Sequence, residues 1–180
     1  MLERMKYTLD TNCIIDLEEG RADAIHLKKL ISMHRNNDIE LFVVAISASE
    51  NQKGGKTSKT FDDFLLKLSA ADLEDTKMLL PMLYGGVSFW GHTIWGAAPG
   101  AKELEEKVHN ILFPGTPIQN PQQVQYSERK WRNKKCDVQI AWAHIYHGND
   151  ILVTGDDNFH KNAEALRNIG LNQVIRPSEI

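Results

Sequence analysis

A chain of 180 residues, 42% hydrophobic and 25% charged, is long and apolar enough to bury a substantial core, which excludes global disorder. It contains no run near the ~20 consecutive apolar residues of a bilayer-spanning helix, and its first residues lack the regions of a secretory signal, so a cytoplasmic protein without a membrane partner is expected. The formal net charge of −3 argues against holding nucleic acid by bulk electrostatics, so any such contact must be local.

In chain order, Lys6 to Leu9 is short and β-prone and ends at Asp10, and Cys13 to Glu19 reads as helix. Arg21 to His34 carries one apolar stripe of Ala24, Ile25, Leu27, Leu30 and Ile31 and predicts a second helix. Leu41 to Ile46 is a continuous, largely β-branched run, as expected for a strand covered on both faces of a parallel sheet. Ser47 and Glu50 then have the spacing of a capping box. Asn51 to Lys59 reads as a Gly-containing loop, and helical patterns return over Thr60 to Ser69 and Asp72 to Leu80. Between Pro81 and Pro121 the glycines and the aromatics Phe89, Trp90 and Trp95 give little periodicity beyond a helix over Ala101 to Leu112. A long, largely buried helix is predicted from Ser127 to His147, stopped by Gly148. It is followed by a strand over Ile151 to Thr154, a helix over Asn158 to Ile169 and a last strand over Gln173 to Ile175. Strand and helix thus alternate at both ends of the chain, which predicts a parallel sheet flanked by helices.

In such sheets ligands bind beyond the carboxyl ends of the strands. Asp10, Glu50 and Asp156 each follow a predicted strand, and Asp137 lies on the long buried helix, so all four acids can converge on one edge. Carboxylates gathered there repel one another unless cations neutralise them, and Mg²⁺ or Mn²⁺, hard ions that prefer oxygen, are the natural partners. Such ions would suit hydrolysis of a phosphate ester. Each acid also has a plainer role: Asp10 and Asp156 as helix caps, Glu50 as the end of the capping box. Asp16 reads as a solubilising helix residue. Cys13 and Cys136 lack CxxC spacing and fit buried thiols in a reducing compartment, although each stands near one of the acids.

LDTNCIIDL from Leu9 to Leu17, the apolar strand followed by Glu50, and CDVQIAWAHIYHGNDILVTGDDNF from Cys136 to Phe159 resemble PIN-domain nucleases over roughly a third of the chain. The resemblance implies a single PIN-like domain over 1–180, a three-layer α/β/α fold with a central, mainly parallel sheet and a helical and loop insertion over about 51–125. It implies that Asp10, Glu50, Asp137 and Asp156 are catalytic and bind Mg²⁺ or Mn²⁺, that Asn12 and Thr154 orient acids and water, and that Asp157 is a fifth acid at the site. It also implies endoribonuclease activity on an RNA substrate. Many small members are toxins of toxin and antitoxin pairs, so an antitoxin or other protein partner and a homodimer are further expectations. The stretch between Glu50 and Asp137 is long for those toxins.

Arg129, Lys130, Trp131, Arg132, Lys134 and Lys135 form a basic run that contacts RNA phosphates and stacks a base on one reading, and is a solvated helix face with a packed Trp on the other. Lys53, Lys56 and Lys59 offer a second basic flank. His144 and His147 are three apart but lack an accompanying metal-site pattern, which favours packing or surface roles. A haloacid-dehalogenase-type phosphatase also places an Asp after its first strand, but needs a second acid where Asn12 stands. A non-catalytic RNA-binding module is the alternative outside enzymes.

Overall fold

Apolar runs that would be two-faced liabilities alone become strands here because helices cover both faces of the sheet they form. The computed structural model describes residues 3–50, 58, 60–84, 87–89, 91–94, 99–119 and 128–180. Its elements are β1 (Lys6–Leu9), α1 (Thr11–Glu19), α2 (Ala24–Arg35), β2 (Glu40–Val44), a 3₁₀ turn (Ala45–Ser49), α3 (Phe61–Ala70), β3 (Lys77–Leu79), α4 (Ala101–Leu112), α5 (Glu128–Tyr146), β4 (Ile151–Val153), α6 (Asp157–Lys161), α7 (Ala163–Arg167) and β5 (Gln173–Ile175). A 3₁₀ turn over Pro177–Glu179 follows.

Among the described residues the sheet has five strands in the order β3-β2-β1-β4-β5. Every pairing is parallel, with Leu9 opposite both Val43 and Val153. All carboxyl ends therefore lie on one edge. The chain first builds outward from β1 to β3 and then returns to place β4 on the other side of β1, so the order reverses between β1 and β4, where open α/β sheets leave a ligand crevice.

On one face Leu9, Leu41, Val43, Ile151 and Val153 pack with Ile14 of α1, Leu27 and Leu30 of α2, and Phe64 and Leu68 of α3. On the other, Phe42, Val44 and Leu152 pack with Val108 and Leu112 of α4, Val138, Ala141 and Trp142 of α5, Phe159 of α6 and Leu166 of α7. The result is helix, sheet and helix in three layers, as expected of an α/β chain. Cys13 and Cys136 are free and fully buried.

The structure corrects several local expectations. The second helix starts at Ala24, and the apolar run from Leu41 leaves the sheet after Val44 and tightens into the 3₁₀ turn, with Glu50 as its C-cap. The Ser47 to Glu50 capping box does not form; a true one opens α3, where Thr60 and Asp63 bond reciprocally. Asp72 to Leu80 is not a helix. Asp72 takes a left-handed φ of 61° that ends α3, and Lys77–Leu79 then pairs with the open edge of β2. The predicted final helix is two short helices divided at Asn162. The stretch 51–125, expected as an insertion of helix and loop, also carries the edge strand β3 and the core helix α4. Asp16 is buried and bonds Arg21 at 3.1 Å instead of facing solvent.

Candidate active site

Asp10 is the first residue beyond β1 and is 3% exposed. Its Oδ1 accepts the Thr11 N–H at 2.7 Å and caps α1, while its Oδ2 accepts from the Asn12 amide at 2.7 Å and the Thr154 hydroxyl at 2.6 Å. The capping role and the site role are thus divided between two oxygens. Asn12 also donates to Thr154 Oγ1 at 3.1 Å and accepts from Gly155 N–H at 3.1 Å, which ties the turn after β1 to the turn after β4. Thr154 Oγ1 accepts the Asp156 N–H at 3.0 Å, and Asp156 caps α6 by accepting from Asn158 N–H at 2.8 Å. Asn12 and Thr154 thus hold the Asp10 carboxylate from two sides, and Thr154 also anchors the Asp156 backbone.

Glu50 arrives from β2 by way of the 3₁₀ turn, against which α5 packs. Its Oε2 is buried and has no hydrogen-bond partner among the described residues. Thr11, whose hydroxyl bonds Ser47 Oγ at 2.9 Å, supports both Asp10 and Glu50. It was missed in the sequence, although its place directly after the first strand acid was a signal.

Asp137 projects from α5 into the same electrostatic neighbourhood. Burial pushes the Asp10 carboxyl up to about 6, with the Asp156 charge adding to the rise and the Thr154, Thr11 and Asn12 hydrogen bonds opposing it. Burial followed by the Asp10 charge raises Glu50 to about 7. Burial, then the charges of Glu50, Asp10 and Asp156, holds Asp137 well above the usual carboxylate range. Four acids from four chain segments thus feel one another.

Among the described residues no set of three or more His, Cys, Asp or Glu side chains is arranged to hold a metal ion as it stands. The all-oxygen donors and the unpartnered Glu50 Oε2 nonetheless fit a hard divalent cation.

Asp157 does not join the acids. It is exposed and paired with Arg176, Nη2 to Oδ1 at 2.6 Å, and the guanidinium holds its carboxyl below the usual range. Arg176 follows β5 and also donates to the Gly155 carbonyl at 3.2 Å. The sequence reading missed it; a basic residue just past the last strand was the available signal.

The basic run on α5 is only partly a surface. Trp131 is 3% exposed and its Nε1 donates to Pro117 O at 3.2 Å, so it cannot stack a base. Lys135 is buried against Glu105 at 2.5 Å, with Gln139 donating to the same oxygen, and its Nζ lies 4.1 Å from the Tyr84 ring centre. Neither side chain can reach an RNA as the basic-run expectation required. Lys130 is exposed, Arg132 and Lys134 are half-buried, and the Arg129 side chain lies outside the described residues, as do Lys53, Lys56, Lys59, Trp90 and Trp95. Phe89 packs edge-on against Phe61. His144 is buried with Nδ1 2.9 Å from Thr8 Oγ1, and His147 Nε2 meets Leu80 O, so neither faces a metal.

No helix among the described residues is long and apolar enough to cross a membrane. Comparison of the chain with family models, with curated proteins and with solved structures gives no match in any of the three.

Proposed function

We propose that this chain is a metal-dependent endoribonuclease of PIN type that hydrolyses RNA phosphodiester bonds. The observation that carries the proposal is the convergence of Asp10, Glu50, Asp137 and Asp156 beside the strand-order reversal, with Glu50 Oε2 buried and unpartnered among the described residues. These four carboxylates would hold Mg²⁺ or Mn²⁺, which when bound polarises a phosphodiester and makes water a nucleophile near neutral pH. Asn12 and Thr154 fix the Asp10 carboxylate against rotation, with Oδ2 held from two sides. Burial of Asp10 and Glu50 keeps their charges unscreened, so an ion is attracted strongly once both are deprotonated.

RNA cleavage in Mg²⁺ or Mn²⁺, and none in EDTA, is the expected result. A labelled RNA blocked at both ends should still be cut, since an endonuclease needs no terminus. Cleavage unchanged in excess chelator would overturn the metal dependence. Release of inorganic phosphate from monoesters would identify a phosphatase, and binding without either product a non-catalytic module.

A further inference from the structure

A polyanion approaching this edge meets buried carboxylates, on a chain of net charge −3 whose basic run is partly committed to the interior. Arg176 offsets that deficit at close range. It leaves β5 beside β4, and its guanidinium spans the turn that carries Asp156: Nη1 donates to Gly155 O at 3.2 Å and Nη2 to Asp157 Oδ1 at 2.6 Å. Gly155 in turn is bonded to Asn12, which holds Asp10. The side chains of Arg176 and Asp157 are 41% and 68% exposed.

An exposed ion pair of this kind contributes little to stability, so little is lost when a better acceptor arrives. A phosphodiester oxygen is such an acceptor, since guanidinium forms charge-assisted, planar hydrogen bonds to phosphate. The Gly155 carbonyl keeps one nitrogen in place while the other changes partner. We propose that Arg176 is a phosphate-contacting residue for single-stranded RNA, occupied by Asp157 in the free protein and exchanged to a substrate phosphate on binding. The proposal rests on the endoribonuclease reading and names a contact within it.

The test is a double-mutant cycle of Arg176→Ala and Asp157→Ala, read by fluorescence anisotropy of a fluorescein-labelled oligouridylate in Ca²⁺ across a salt titration. Arg176→Ala should weaken binding about fivefold and lower the salt slope by about 0.7, the value for one phosphate contact on a single strand. Asp157→Ala should tighten binding about threefold by freeing the guanidinium. The double variant should bind as Arg176→Ala does. Arg176→Gln, which can still donate to Gly155 O, should repeat the loss and serves if the alanine variant fails to fold. A gain from Asp157→Ala that persists in the Arg176→Ala background would mean general charge relief and overturn the exchange. Weaker binding by Asp157→Ala would mean that the pair only clamps the turn. Wild type that cuts RNA while the cycle is additive removes Arg176 alone; wild type that neither binds nor cuts removes both readings.

Discussion

Asp10→Asn is expected to reduce RNA cleavage by at least ~10³-fold, equivalent to about 4 kcal/mol of lost transition-state stabilisation. The same change should leave the metal-free fold within about 1 kcal/mol of wild type, because two effects oppose each other. The amide oxygen can still cap Thr11 N–H, but the amide nitrogen faces the Asn12 amide and the Thr154 hydroxyl, which lose an acceptor. Against that, a buried charge facing Glu50, Asp137 and Asp156 is removed. At ten times its Kd a bound ion stabilises wild type by about 1.4 kcal/mol, roughly 3 to 5 °C in a domain of this size. The variant should lose most of that gain. Melts with EDTA and with Mn²⁺ at matched ionic strength separate the contributions. An Asp10→Asn protein that melts far below wild type in EDTA would make Asp10 chiefly a helix cap.

Metal-free wild type should be more stable at pH 5 than at pH 8, a reversal of the usual carboxylate behaviour. Asp10 and Glu50 are raised from 3.8 to about 6 and from 4.5 to about 7, so the folded protein binds more protons than the unfolded chain between these values. Their contribution is therefore complete below pH ~4 and is lost as pH rises through about 6 and 7. For Asp10 alone the shift corresponds to on the order of 3 kcal/mol. His144 acts in the opposite sense: burial lowers it from 6.5 to about 4, so its contribution is lost as pH falls through that window. His109, also lowered by burial, acts with His144, while Asp137 and Asp16, both raised by burial, add to the carboxylate side, leaving two histidines against four acids. Glu50→Gln isolates the effect. At pH 8 in EDTA it should melt ~5 °C above wild type, for about 2 kcal/mol, and at pH ~4 the difference should nearly vanish. Calorimetry at the two pH values decides it; a variant less stable than wild type at both would show that Glu50 is held by bonds its charge requires.

Much of the sheet was legible because its strands are apolar runs ending at polar turns. Lys6–Leu9 and Gln173–Ile175 matched their predicted spans, and Asp10, Glu50 and Asp156 fell beyond carboxyl ends as their positions required. Lys77–Leu79 was not legible, since a three-residue strand has no period of its own and its helix-like neighbours decided the reading; its partner, the free edge of β2, exists only in the fold. The burial of Lys135 was hidden by composition, because a run of basic residues suggests solvent. Helical spacing carried the better signal: Trp131, Lys135, Val138 and Trp142 share one face of α5, and all four are buried. The partner acid Glu105 lies on α4, remote in sequence, and no local pattern joins them.

The separation of Asp157 from the site has the same origin. Adjacent acids in Gly-Asp-Asp look equivalent in one dimension, but Asp156 caps α6 while Asp157 begins it and turns outward to Arg176. Which of two neighbours faces the site is set by the turn, not by residue type.

The most direct measurement is an anomalous difference map from a crystal soaked in Mn²⁺ at a concentration that supports cleavage. The expected result is a peak bonded to Asp10 and to at least one of Glu50, Asp137 and Asp156, at about 2.0 to 2.2 Å as for oxygen ligands of small divalent ions. A peak elsewhere, or none at these carboxylates in crystals of protein that cuts RNA, would contradict it.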